Sequence, residues 1–173
     1  MARFLNINKQ NNNQMIYSSK MKYFEINELV NANIMGLTSH SLTATAAYAV
    51  TQFKREIKRL MEELQSKNEG LVKEVEIEDG QSFDTRRKEL ADKTDRTEEE
   101  EKELEGMDRK MNRLVELRTV LYNEECEVKC KPMSFDDWRA LKEKNKEIKI
   151  GNYELLEVWE LNLEGVMWKA PEE

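Results

Sequence analysis

Two cysteines, Cys126 and Cys130, stand four residues apart, the spacing of one helical turn, at which two thiolates could grip one metal ion. Such a site needs further ligands, and the sequence supplies one histidine, His40, and no second cysteine pair. The pair therefore reads as two free thiols of a reducing compartment. His40 lies between Ser39 and Ser41, a grouping that could suggest a hydrolase dyad. No orienting acid or oxyanion site accompanies it, and a solvated loop residue accounts for it equally well. The run Glu98, Glu99, Glu100 and Glu101, extended by Glu103 and Glu105, could collect a cation or imitate nucleic-acid phosphates toward a basic partner. Carboxylates in the first turn of a helix also answer the positive end of its dipole, with no function required. An Asp-rich calcium loop, a Gly-rich phosphate loop and a dinucleotide fingerprint are all missing from the sequence. These residues argue for a protein that is not an enzyme and that carries no metal or cofactor.

The chemistry-poor residues sit on a chain built for long helices. Of 173 residues, 39% are hydrophobic and 36% are charged, which suits amphipathic helices with one wet face. Six glycines and two prolines are too few breakers for an all-β fold. Residues 1–60 hold eight Lys/Arg against three Asp/Glu, whereas residues 61–173 hold twenty against thirty-two. The acidic majority argues against nucleic acid as a partner, because phosphate contacts need an excess of Lys and Arg. No stretch approaches 18 apolar residues, and the N-terminus lacks an apolar core of signal-peptide length. The expectation is a soluble chain without a membrane partner, in the cytoplasm or in a virion, and not secreted through a signal peptide.

The dominant pattern is a stripe of Ala46, Val50, Phe53, Ile57, Leu60 and Leu64, at alternating gaps of four and three, which predicts a helix over 41–68. At 1.5 Å per residue it spans roughly 42 Å, more than the roughly 30 Å diameter of a compact domain of this size. A second stripe, Leu104, Met107, Met111, Leu114, Leu117 and Leu121, predicts a helix over 97–122, opened by a Thr97–Glu100 capping box. Arg118 interrupts the regular spacing. The expected fold is mainly α: an antiparallel, coiled-coil-like helical hairpin on a small helical body, with hairpin core Val50, Phe53, Ile57, Leu60, Leu64, Leu104, Met107, Met111, Leu114 and Leu121. Residues 69–96 form its tip, with a short strand at 71–77, an Asp79-Gly80 turn and a polar helix at 84–94. Residues 1–20 read as a polar N-terminal arm and 21–173 as one helical domain. Within it, a short helix over 25–35, minor β structure after 123, a helix from Ser134 and a last helix at 152–164 complete the order.

Surfaces for contact with other proteins remain the best functional signal. Candidates are Phe4 and Leu5 in the arm, Tyr48 among the small residues that open the first long helix, the acids Glu98 to Glu101, and Met167 and Trp168 in the tail. Trp168 could insert into a neighbouring subunit or dock in its own chain. A helical body with a protruding hairpin and extended termini looks like the plan of small virion proteins of tailed bacteriophages, especially head–tail connector subunits. That resemblance is one of layout, carried by no motif, and it implies a structural subunit in a homo-oligomer or larger assembly. The alternative is a small acidic inhibitor or adaptor of the anti-defence type, binding a host protein through residues 95–105.

Overall fold

The computed structural model describes residues 6–8 and 16–171. In chain order the elements begin with strands β1 (Asn6–Asn8) and β2 (Ile16–Lys22), helix α1 (Tyr23–Asn31) and a short 3-10 turn (Ile34–Gly36). Helices α2 (Ala44–Glu74), α3 (Gly80–Asp92) and α4 (Glu98–Asn123) follow, then strand β3 (Glu125–Val128) and helix α5 (Phe135–Lys144). Strands β4 (Lys149–Ile150) and β5 (Tyr153–Glu154) and the short helices α6 (Leu155–Val158) and α7 (Glu160–Leu163) complete the chain. The protein is mainly helical, with two small antiparallel sheets of order β1-β2-β3 and β4-β5. It divides into two compact units, Met1–Glu62 with Glu125–Glu173, and Glu63–Glu124.

In the first unit, β2 pairs with β3 so that Ser19 opposes Val128 and Met21 opposes Cys126. Residues 16–20, grouped with the polar arm on composition, are strand instead. The reason is a period-two pattern in which Ser19 and Met21 are buried while Lys20 and Lys22 are exposed. The buried Ser19 is tolerated because its hydroxyl donates to the Gly165 carbonyl. Helix α1 starts where the Glu25 carboxylate accepts from the Lys22 amide at 2.7 Å, and it turns Tyr23, Ile26 and Leu29 inward.

The stripe on α2 is buried from Ala46 through Leu64. Val50, Phe53, Ile57 and Leu60 belong to the first unit, whereas α4 lies in the second. Heptad spacing fixes which face of a helix is buried and says nothing of what covers it. The C-terminal region closes the same core. Trp138 is fully buried, and Trp168 stacks on it with centroids 5.9 Å apart and planes at 15°. The indole nitrogen of Trp168 donates to the Glu160 carbonyl at 3.1 Å, and the Lys169 amide donates to the Met133 carbonyl at 3.1 Å. The last expected helix is split: β5 leads into α6 and α7, and the chain after them returns to pair beside Met133. Asn145 joins α5 to the loop before α2, accepting from the Thr38 amide at 2.7 Å and donating to the Thr38 carbonyl at 3.0 Å.

The second unit corrects the expected tip. Helix α2 does not stop at residue 68 but runs through Gly70 to Glu74, and no strand lies at 71–77. The left-handed residue that ends it is Glu76, at φ 56°. The Glu76 amide donates to the Lys73 carbonyl and the Ile77 amide to that of Val72, the bonding of a Schellman motif with a residue other than glycine at its turn. Val72 and Ile77 then meet in a small cluster with Leu71, Val75, Phe83, Leu114 and Leu117. Asp79, expected in a hairpin turn, instead caps α3 by accepting from the Gln81 and Ser82 amides. Among the seam residues of α4, Leu114 and Leu121 are buried, and Leu104, Met107 and Met111 are only half-buried. Arg118, the break in the stripe, is a cross-link: its Nε donates to Asn68 Oδ1 at 2.7 Å.

Candidate functional site

A concavity that could receive another molecule lies within the first unit, with a volume of about 560 Å3. One wall is the outward face of α1, where Phe24, Glu28 and Asn31 follow at helical spacing. The opposite wall is the turn of the β4-β5 hairpin, with Lys149, Ile150 and Gly151, and the α6-α7 segment, with Val158, Trp159 and Asn162. Gly151 takes φ +60°, which the two-residue turn between paired Ile150 and Tyr153 requires. Phe24 and Val158 expose 37% and 50% of their surface, and Tyr153 and Leu161, on the same elements, expose 71% and 80%. Large apolar groups left in water around one groove are the usual mark of a contact surface. The lining mixes apolar side chains, Phe24, Ile150, Val158 and Trp159, with Glu28 on one wall and Lys149 on the other.

The residues singled out in the sequence are not brought together. Met167 is fully buried and Trp168 nearly so, both inside their own chain, so neither is a free anchor for a neighbour. The tail docks intramolecularly because its aromatic ring completes a stack with Trp138 and Phe135. Phe4 and Leu5 lie outside the described residues. Tyr48 is exposed on α2 and accepts a hydrogen bond from Gln52 at 2.9 Å. His40 is an exposed loop residue.

Both cysteines are buried. Cys126 lies on β3 and Cys130 two residues beyond its end. Their thiols donate to different carbonyls, those of Met21 and Ala49. Burial, with Glu56 nearby, pushes the Cys130 thiol up to about 12. Among the described residues, no group of three or more His, Cys, Asp or Glu is arranged to hold a metal ion.

The acidic run belongs to the second unit, which holds nineteen Asp/Glu and twelve Lys/Arg, so that it carries the whole net charge of −7. Glu98, Glu99 and Glu101 are exposed at the start of α4. Glu100 accepts from Lys93 at 2.6 Å and from the Thr97 amide at 2.9 Å, and these bonds hold its carboxyl below the usual range. Arg86 grips Glu103 through two parallel hydrogen bonds of 2.9 and 2.8 Å, with the same effect on Glu103. Part of the acidic run is therefore spent on joining α3 to α4.

The groove was not legible from the sequence, because its walls are 120 residues apart and each carries only isolated apolar residues. The available signal was Val158 and Leu161 off the stripe of Leu155, Leu156, Trp159 and Leu163. Among the described residues, no helix is long and apolar enough to cross a membrane. No protein-family model, curated protein or solved structure matches the chain.

Proposed function

We propose that the protein is a non-enzymatic structural subunit that associates with copies of itself, a building block of the kind found in phage head–tail connectors. The observation that carries this reading is the collection of exposed Phe24, Tyr153, Val158 and Leu161 on the elements around one groove. In this reading the second unit is the coiled-coil-like part of the scaffold. Its support is the antiparallel order of contacts made by the end of α2 and the turn after it with α4 and its C-cap: Lys67 with Glu124, Asn68 with Arg118, and Glu76 with Lys110. Light scattering over a concentration series tests the proposal. The wild type should form a defined oligomer, and Val158→Asp, which places a charge in a contact that excludes water, should shift it to monomer. A wild type that stays monomeric at every concentration, or an oligomer indifferent to Val158→Asp, would contradict it.

A second reading rests on a different observation, the concentration of all net charge in Glu63–Glu124. There the protein is an acidic inhibitor or adaptor that binds a basic host protein through Glu98, Glu99 and Glu101. Reversing these three charges should abolish host-protein capture in that case and leave the oligomer untouched in the first.

A further inference from the structure

We infer that one face of α2 stands in for a fourth strand on the three-stranded sheet and closes the β3 edge to strand addition by another chain. Among the described residues, the order β1-β2-β3 leaves β3 with one flank that no strand occupies. An open flank of this kind presents backbone groups ready to pair with a foreign strand. Here one carbonyl of β3 and two amides of the segment that continues it are met by side chains. Arg59 donates to the Glu127 carbonyl at 2.9 Å, the Lys129 amide donates to Glu56 Oε2 at 3.1 Å, and the Lys131 amide donates to Gln52 Oε1 at 3.2 Å.

The match is one of order as well as distance. Burial alternates from β3 through residue 131, with 127, 129 and 131 exposed and 128 and 130 buried, the pattern of an extended chain whose alternate residues are about 6.6 Å apart. Residues 59, 56 and 52 lie on one helix face at steps of about 4.5 and 6 Å, running the other way. The longest side chain, Arg59, makes up the shorter step. The donor and acceptors also fall in the needed sequence, a guanidinium for the carbonyl and two oxygens for the two amides. Glu56 is itself held by Arg59 at 3.0 Å, which keeps its carboxylate aimed at the strand. The side chains of Glu127, Lys129 and Lys131 are exposed, so burial does not explain why their backbones are satisfied in this way. A helix supplying three side-chain partners occupies the place that an added strand would need.

Backbone amide exchange, followed residue by residue, tests the inference. In the double variant Gln52→Leu and Glu56→Leu, the Lys129 and Lys131 amides should exchange about tenfold faster while those of β2 keep their rates. Infrared spectra of this variant should show intermolecular β-sheet growing with concentration, a signal that groove-mediated helical association does not produce. Glu56→Gln, which keeps an acceptor oxygen, should retain the slow Lys129 rate. Gln52→Ala alone should accelerate only Lys131, so the idea can be judged even if the double variant does not fold. Unchanged rates at both lysines, equal acceleration in Glu56→Gln, or faster exchange without intermolecular β-sheet would each overturn it.

Discussion

The two units reach stability by different means. The first has balanced charge and closes around large rings, with Trp138, Tyr23 and Phe53 all fully buried. The second carries −7 and closes around a few aliphatic side chains and Phe83, supported by exposed ion pairs such as Arg86–Glu103, Arg87–Asp108 and Lys93–Glu100. Exposed pairs of this type contribute about 0–1 kcal/mol each, whereas a buried aromatic contributes several. The difference assigns roles: a firm unit can hold a groove in shape, and a thin, charged one can yield or present charge.

The largest expected effect is in the first unit. Trp138→Ala removes a fully buried ring and its stack on Trp168, and should cost about 4 kcal/mol in a urea titration. A loss below about 1 kcal/mol would mean that the aromatic core is not what distinguishes the units. Next, Asn145→Ala leaves the Thr38 amide and carbonyl without their partners and should cost about 2 kcal/mol by the same measurement. In the second unit the sign reverses. Glu76 is left-handed at φ 56°, so Glu76→Gly should raise stability by about 1 kcal/mol. Failure to do so would show that the Schellman end of α2 is held by contacts stronger than its backbone strain.

The smallest effect is one of pH. Asp79, Glu100 and Glu103 all have pKa values lowered in the folded chain: Asp79 by the Ser82 hydroxyl, Glu100 by Lys93 and Glu103 by Arg86. A depressed carboxylate stabilises the fold above its unfolded pKa, 3.8 for Asp and 4.5 for Glu, and this support fades as pH falls through the folded value. Amide exchange in α3 should therefore quicken below pH 4.5, relative to that in α5. Parallel behaviour of the two helices would break the comparison.

What could be seen in the sequence follows the same division. The stripe Ala46–Leu64 and the Thr97–Glu100 capping box are legible because helical period and caps are local codes. The end of α2 was hidden because glycine signals a helix end, yet Gly70 lies within the helix and Glu76 makes the turn. The three-stranded sheet was hidden because β2 finds its partner more than 100 residues away. The docking of Trp168 on Trp138 and the pairing of α1 with the β4-β5 turn around a groove depend on tertiary contacts that no periodicity records. Composition raised the expectation of a contact protein and pointed to no particular surface.

That choice is open to one direct measurement, hydrogen–deuterium exchange of the full chain at low and high concentration. The account predicts that rising concentration slows exchange in α1 and across residues 149–162, while residues 98–105 are unchanged. Slowing confined to 98–105, or no concentration dependence anywhere, would contradict self-association through the groove.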